Sequence, residues 1–265
     1  MSFTEIKTDV TTFTKGKLVV KIFTTREEMG KEAASNVSET IQQLQKEKGE
    51  INMIFAAAPS QSDFMKELVG DERIKWEEIN AFHMDEYIGL EKEAPQGFGN
   101  FLRDRIFAKV PFKSVHYING LADDPAAECE RYADLLRKYP VDIVCLGIGE
   151  NGHIAFNDPP VADFNDPKLV KVVELETACR QQQVNEKLFD ALELVPTHAV
   201  TVTIPALLKA SHMFCMVPAR NKAEAVYHTL NDEISEKCPA TILRTKMGAI
   251  LYIDGESASL IKNSF

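Results

Sequence analysis

The chain has 265 residues and a formal net charge of −10, with 40 acidic side chains against 30 basic ones. This balance argues against a nucleic-acid surface and against binding to anionic membranes, although a few local cations could still hold a small anionic substrate. The length suits one large α/β domain or two small ones, and a hydrophobic fraction of 45% is ordinary for a soluble globular protein. No apolar run approaches the roughly 20 residues of a membrane span.

The N-terminal sequence lacks the basic-then-apolar pattern of a secretory signal. The five cysteines are odd in number and scattered, with no spacing typical of a disulfide framework or a zinc site. We therefore expect a cytoplasmic protein with no metal site.

Strand-like and helix-like runs alternate along the chain. Strands are predicted at residues 18–23, 52–57, 80–84, 115–118, 141–146, 170–173, 199–204, 212–217 and 249–253. Helices are predicted after a Thr25 cap, with an apolar side from Met29 to Leu44, and at residues 62–69, 97–106, 125–137 and 222–230. This alternation predicts a three-layer α/β fold, in which helices cover both faces of a mostly parallel sheet. Because no flexible linker or internal repeat is present, we expect a single domain.

The strand at residues 141–146 ends in a turn that contains Gly147, Gly149 and Gly152. Glycines at a strand exit allow a tight turn and a close approach to a ligand. Polar residues cluster in and after this turn: Glu150, Asn151, His153, Asn157 and Asp158. The carboxyl edge of a parallel sheet is where such folds bind ligands. A plain structural turn is the alternative, but it needs neither the histidine nor the polar cluster.

Two adjacent acids, Asp85 and Glu86, follow the strand at residues 80–84. Neighbouring side chains of an extended segment point in different directions, so one can face a cleft while the other faces supporting structure or a partner. A carboxylate near His153 could act as a base that moves a proton between carbon atoms. A solvated acidic turn is the alternative interpretation.

Three polar residues are candidates for binding an anion. Ser60 precedes a predicted helix, where backbone N–H groups suit a phosphate, but it could simply cap that helix. Lys222 follows a strand and could meet a phosphate as a point charge, or could be a solvated helix start. Arg180 could close onto an anion from a cover of loop and helix predicted around residues 158–184, or could be exposed. The same section could also be an ordinary surface excursion.

Other phosphate-binding and catalytic motifs are absent or weak. The sequence has no GxxxxGK loop and no GxSxG elbow. The glycine turn has a spacing similar to GxGxxG, but Asn151 and His153 would crowd a pyrophosphate there. A dinucleotide cofactor is therefore not expected.

Taken together, these segments resemble the glucosamine-6-phosphate deaminase family, whose modified Rossmann-like fold is shared by 6-phosphogluconolactonases. The resemblance covers nearly the whole chain and is strongest at MDEYIGL (residues 84–90) and GIGENGHIAFN (residues 147–157). The lactonase branch typically has threonine after the glycine–histidine pair, where this chain has Ile154. It also lacks the Phe-Asn-acid-Pro run present at residues 156–159. The resemblance therefore favours the aminosugar-phosphate branch.

The family's chemistry then implies roles for matching residues. Asp85 would shuttle a proton between C2 and C1 of an opened aminosugar 6-phosphate, and His153 would assist ring opening. Asn151 and Asp158 would support the imidazole, and Lys222 would contact the phosphate. No cofactor or metal is required. Further candidates for binding the substrate or its phosphate are Ser60, Arg180, Glu86, Gly149 and Gly152.

Several positions depart from the family's usual pattern. Asn151 is often aspartate, and Asp158 replaces a glutamate that is one methylene longer. The shorter side chain could reach His153 through a backbone shift or through water, or could suit a different sugar epimer. Pro59 lies in an Ala-Ala-Pro-Ser-Gln loop that replaces a Thr-Gly-Gly-Thr type of sequence, and it has no N–H to donate.

A further departure concerns the cover arginine that usually touches phosphate. It aligns with Gln183, and Arg180, one helical turn earlier, could replace it.

Two other functions remain open from the sequence. One is a 6-phosphogluconolactonase-type hydrolase, and the other is a non-catalytic sugar-phosphate-binding protein. The expected partner is a small sugar phosphate, with neither a nucleic acid nor a membrane. The resemblance allows a homo-oligomer, but the sequence defines no interface, no form of regulation and no preferred sugar epimer.

Overall fold

The computed structural model describes residues 10–261. In chain order, its strands are β1 (Thr11–Lys15), β2 (Leu18–Ile22), β3 (Ile51–Phe55), β4 (Ile79–His83), β5 (Asp85–Tyr87), β6 (Ser114–His116), β7 (Ile143–Leu146), β8 (Val170–Glu174), β9 (His198–Val202), β10 (His212–Val217) and β11 (Ala249–Ile253). The helices are α1 (Arg26–Lys48), α2 (Ser62–Val69), α3 (Phe98–Leu102), α4 (Pro125–Lys138), α5 (Thr177–Asn185), α6 (Ile204–Leu207) and α7 (Ala223–Asn231).

Eight of these strands form one sheet, in the order β1-β2-β11-β10-β7-β3-β4-β6. Every neighbouring pair from β2 to β6 is parallel, and only the edge pair β1–β2 is antiparallel. The central strands β3, β4 and β7 are buried along their whole length, which explains why they read as continuous apolar runs. The prediction of a mostly parallel sheet is therefore confirmed.

Helices cover both faces of this sheet. On one face, β3 contributes Met53 and Phe55 to an apolar cluster that also contains the buried stripes of α1 and α2. On the other face, Ile54 joins a cluster with the buried residues of α4 and α7. Because successive side chains of a strand point to opposite faces, one strand feeds both clusters. The predicted three-layer arrangement is confirmed.

A second, antiparallel sheet has three strands in the order β5-β9-β8, and its strand β5 contains the adjacent acids Asp85 and Glu86. Strand β5 was not predicted from the sequence. It has only three residues and pairs with the distant β9, where Asp85 lies opposite Thr201. Short strands with non-local partners leave little local signal. The edge strand β1 was also not predicted, because most of its residues are exposed and no apolar run marks it.

Most predicted element boundaries differ from the observed ones by only a few residues. The exception is the helix predicted at residues 97–106, which is α3 followed by a wider π-type turn at Arg103–Phe107. That turn is closed by a bond from Ala108 N–H to the Arg103 carbonyl, at 3.0 Å. Within residues 10–261, no helix is long and apolar enough to cross a membrane.

The position of β5 depends on Gly120. A Cβ added at Gly120 would lie 2.0 Å from the Tyr87 carbonyl oxygen at the end of β5. We expect Gly120→Ala to lower the free energy of unfolding by about 1–3 kcal/mol, the usual range for overpacking, as measured by urea denaturation. Gly70→Ala is the matched control, because its added Cβ meets nothing nearer than 3.5 Å. Equal stability of Gly120→Ala and the unaltered chain would contradict this assignment.

Candidate active site

A cleft lies beyond the carboxyl ends of the central parallel strands. Its walls come from the segments that follow four strands and from the cover that includes α5. The lining residues used below are Ser60 after β3, Asp85 after β4, Gly149 and His153 after β7, Lys222 after β10, and Gln182, Gln183 and Glu186 from the cover. The structure therefore brings the two strongest sequence motifs to one cavity.

Asp85 presents a desolvated carboxyl group to this cleft. The residue is only 5% exposed, and its carboxyl group has no hydrogen-bond partner within residues 10–261. Burial, together with the neighbouring charge of Glu86, raises the pKa of Asp85 well above its usual range. A carboxylate that is poorly solvated and unpaired is a stronger base than one in water, which suits proton abstraction.

The backbone of Asp85 is held by a buried histidine. His83 Nδ1 donates to the Asp85 carbonyl oxygen at 2.9 Å, and His83 Nε2 accepts from the Ile118 N–H at 2.9 Å. Complete burial lowers the pKa of His83 to about 4, so the ring is neutral at physiological pH. His83 therefore orients the strand that carries the carboxylate and does not itself reach the cleft.

His153 lies on the glycine turn, with its Nδ1 side held by two partners. Nδ1 is 2.7 Å from Asn151 Oδ1 and 2.9 Å from Asp158 Oδ1. The contact with Asp158 is direct, which settles the question raised by the shorter side chain: no bridging water is needed. A proton on Nδ1 leaves the imidazole Nε2 as an acceptor, and Nε2 has no partner among the described residues.

Asp158 is fully buried behind His153 and accepts several hydrogen bonds. Burial opposes its ionisation, but bonds from His153 Nδ1, from Asn151 Nδ2 and from the Glu176 N–H hold its pKa below the usual value. The Cys179 Sγ atom also lies within 4.8 Å of a carboxylate oxygen of Asp158. The carboxylate therefore stays charged and supports a positive charge on the imidazole.

Two glycines make room for this arrangement. A Cβ added at Gly149 would lie 2.1 Å from His153 Cε1, so the imidazole packs directly over that glycine. Gly152 has a φ of +82°, which disfavours a side chain, and its Cβ would lie 2.6 Å from Cys238 Sγ. Gly149 lines the cleft and Gly152 does not. Both glycines are placed to shape the turn around His153.

Lys222 ends the short turn Arg220–Lys222 directly before α7 and is only 6% exposed. Its Nζ lies 3.3 Å from Glu186 Oε1, at the end of α5. Glu186 Oε1 also accepts from Gln182 Nε2 at 2.8 Å, and Gln182 Oε1 accepts from the Glu150 N–H at 2.8 Å. These contacts tie the cover to both Lys222 and the glycine turn.

Ser60 also lines the cleft, in the middle of the short turn Pro59–Gln61 that leads into α2. Its hydroxyl accepts from Gln61 Nε2 at 3.1 Å, which leaves the hydroxyl proton available to a ligand. Ser60 makes no capping bond to the helix. Pro59 lines the same wall without an N–H.

Besides Gly152, two candidates for binding the substrate or its phosphate, Glu86 and Arg180, do not line the cleft. Both Glu86 oxygens are occupied by backbone N–H groups, from Tyr87 and Phe98 on Oε1 and from Gly99 on Oε2. Glu86 thereby holds the start of α3, which is the supporting role that the sequence analysis allowed for one of the adjacent acids.

The Arg180 guanidinium is also turned away from the cleft, because it donates to the carbonyl oxygens of Leu192 and Val195. Gln183, at the position expected to carry the family's cover arginine, lines the cleft instead. The structure therefore does not place Arg180 where it could replace that arginine.

Four residues that the sequence analysis did not select complete the surroundings of the site. Glu176 Oε2 accepts from Asn151 Nδ2 at 2.7 Å, and Cys179, Gln182 and Glu186 follow on α5 and at its end. Cys179, Gln182 and Glu186 lie on one side of a helix whose polar sequence has no strong periodicity. The expected cover around residues 158–184 was the only signal that pointed to Glu176, Cys179 and Gln182, and Glu186 lies two residues beyond it.

One group of side chains has the chemistry of metal ligands. One ligand atom each from His153, Asp158 and Cys179 lies within 4.8 Å of the others. In the structure His153 Nδ1 lies 2.9 Å from Asp158 Oδ1. Two of the three groups are thus already paired with each other.

The desolvated carboxylate has a consequence for stability. Because the native state binds the Asp85 proton more tightly than the unfolded state, ionised Asp85 opposes folding at neutral pH. We expect Asp85→Asn to raise the free energy of unfolding at pH 7.5, because the neutral amide has no charge to desolvate.

Chemical denaturation at several pH values would test this expectation. The gain should shrink as the pH falls and vanish below about 4, the ordinary carboxyl pKa, because Asp85 is then protonated in both states. Asp123→Asn, at an exposed position, is the control. A loss of stability in Asp85→Asn at neutral pH would contradict the proposed desolvation.

Comparison with known proteins places this site in a family. The family described as glucosamine-6-phosphate isomerases/6-phosphogluconolactonase matches residues 24–252. A glucosamine-6-phosphate deaminase of Exiguobacterium sp. is 44% identical over 181 residues, which cover 68% of this chain and 69% of that protein. A deaminase of Bacillus cytotoxicus is 34% identical over 220 residues, or 83% of this chain and 82% of that protein.

Solved structures agree. A monomeric glucosamine-6-phosphate deaminase superposes with a TM-score of 0.82 at 32% identity, covering 91% of this chain and 99% of the other. A 6-phosphogluconolactonase from Shewanella baltica has a TM-score of 0.74 at 14% identity, covering 91% of this chain and 99% of the other, and shows the shared fold alone. The chain therefore belongs to the family of glucosamine-6-phosphate isomerases and 6-phosphogluconolactonases, and its similarity is greater to the deaminases.

Proposed function

We propose that this chain is an aminosugar-6-phosphate deaminase and isomerase. It converts glucosamine 6-phosphate, or its galactosamine epimer, and water into the ketose 6-phosphate and ammonia. The observation that carries the proposal is that a desolvated carboxyl group, Asp85, and a supported imidazole, His153, line one cleft together with Lys222. The setting for such a metabolic reaction would be the cytoplasm.

Ring opening is assigned to His153. With its proton on Nδ1, the imidazole accepts the proton of the anomeric hydroxyl at Nε2 and returns a proton to the ring oxygen, which gives the open-chain aldehyde. The transient positive charge on the ring is stabilised by Asp158, which stays ionised behind it. Asn151 fixes the orientation of the imidazole through Nδ1 and cannot itself supply charge.

The isomerisation is assigned to Asp85. Its carboxylate removes the proton from C2 while O1 takes up a proton, which gives an enolamine. The carboxyl group then returns a proton to C1 while the amino nitrogen gives one up, which gives the imine of the ketose. Water adds to this imine and ammonia leaves, so the ketose 6-phosphate remains. These steps need only proton transfers and one water molecule. An ester hydrolysis, as in the lactonases, would leave Asp85 without a role.

Lys222 and Ser60 are proposed to bind the phosphate. Both lie on the cleft wall after a parallel strand, as a charge and as a hydroxyl donor. Fewer backbone donors are available here than in a glycine-rich loop, because Pro59 has no N–H. The ammonium of Lys222 therefore supplies most of the attraction for phosphate.

The reaction itself is tested by incubating the protein with glucosamine 6-phosphate and galactosamine 6-phosphate separately and measuring ammonia and ketose 6-phosphate. We expect turnover of at least one epimer. Asp85→Asn should lower kcat by about 100-fold or more, because it removes the base while leaving the cleft's shape intact.

Binding of an unreactive analogue to Asp85→Asn is the control that separates lost chemistry from lost binding. Wild-type turnover in Asp85→Asn would refute the proposed proton carrier. Release of acid from a lactone, without ammonia from either aminosugar, would instead support a lactonase.

Lys222→Ala tests the phosphate site. We expect KM to rise by about 10–100-fold, since a hydrogen-bonded charge is lost from the phosphate. Lys209→Ala, at an exposed position, should leave KM unchanged. Circular dichroism would check that Lys222→Ala still folds. An unchanged KM in the folded variant would show that Lys222 does not bind the phosphate.

A further inference from the structure

The ion pair between Lys222 and Glu186 occupies the end of the cleft assigned to phosphate. Both residues line the cleft, and their charged atoms are 3.3 Å apart. Both side chains are largely buried, at 7% and 17% exposure. Lys222 is the only lysine or arginine that lines the cleft within the described part of the chain. Its positive charge is therefore already compensated before any ligand enters.

We infer that Glu186 is a specificity-determining residue, which competes with the substrate's phosphate for Lys222. The inference rests on the proposed function, which places phosphate at Lys222. A phosphate in contact with Nζ would lie beside the Glu186 carboxylate, and two like charges at about 4 Å repel strongly in a site shielded from water. The carboxylate must therefore leave Lys222 when a phosphate binds.

The pair also affects the choice between phosphorylated and unphosphorylated sugars. A hydroxyl group can accept from Lys222 and donate to Glu186, so a sugar without phosphate leaves the ion pair intact. A phosphate dianion has no proton to donate and must break the pair. Glu186 thus lowers the affinity of the cleft for phosphate and reduces the preference for a phosphorylated ligand.

The position of Glu186 links this competition to the cover. Glu186 Oε1 accepts from Gln182, and Gln182 in turn accepts from the Glu150 N–H on the glycine turn. Displacing Glu186 releases the contact between the cover and Lys222, while the contact through Gln182 and Glu150 can persist. Glu186→Gln keeps the shape of the side chain and removes its charge.

The test measures binding of glucitol 6-phosphate, an unreactive open-chain analogue, by calorimetry. We expect Glu186→Gln to bind it about tenfold more tightly or better, because an uncompensated Lys222 attracts the phosphate without a competing carboxylate. Binding of glucitol, which lacks phosphate, should not tighten. Glu193→Gln carries the same change of charge at an exposed position after α5 and should match the unaltered chain.

The outcomes separate this inference from the proposed reaction. Equal or weaker binding of glucitol 6-phosphate by Glu186→Gln overturns the inference, even if the chain releases ammonia from an aminosugar phosphate. No detectable binding by either protein also overturns it. Tighter binding by Glu186→Gln that is lost in Glu186→Gln/Lys222→Met supports it, whether or not ammonia is formed.

Discussion

The proposed chemistry depends on keeping one carboxyl group, that of Asp85, out of water without giving it a hydrogen-bond partner. Asp85 lies at the start of β5, where the small antiparallel sheet meets the carboxyl edge of the large parallel one. Its strand is held by pairing with β9 and by the bond from His83 to its carbonyl oxygen. The free energy lost by desolvating the carboxylate is recovered elsewhere in the fold, as is usual at functional sites.

In contrast to Asp85, the imidazole of His153 is held by hydrogen-bonding partners. His153 Nδ1 contacts both an amide and a carboxylate, and the carboxylate of Asp158 accepts further bonds from neighbouring segments. Although Asn151 is neutral, His153 still has a carboxylate beside it, because Asp158 contacts the imidazole directly. Glu176 in turn accepts a hydrogen bond from the Asn151 amide. The two groups of the site therefore have distinct environments: an unpaired base and a supported acid–base pair.

The parts of the molecule with strong local patterns were predicted from the sequence. Buried parallel strands such as β7 read as apolar runs, and the turn from Gly147 to His153 combined glycines with titratable residues. Proximity of Asp85 and His153 followed from the rule that parallel strands present their carboxyl ends at one edge. The sequence alone can thus predict that two motifs lie close together when both follow strands of one parallel sheet.

Features that depend on distant partners were not predicted. Strand β5 forms because β9 pairs with it. Arg180 faces away from the cleft because its guanidinium donates hydrogen bonds to the carbonyl oxygens of Leu192 and Val195. Glu186 has no motif, and its meeting with Lys222 depends on how the cover packs. In each case the contact joins residues that are far apart in the sequence or not marked by any motif, so no local pattern of residues predicts it.

The central claim is that Asp85 and His153 act on one open-chain sugar. A crystal structure of the protein with 2-amino-2-deoxyglucitol 6-phosphate, which cannot react, tests it most directly. The account requires the Asp85 carboxylate within about 3.5 Å of C1 and C2, the distance of a reactive approach, with His153 Nε2 facing the oxygen on C5. An analogue bound with C1 and C2 beyond the reach of Asp85 would contradict it.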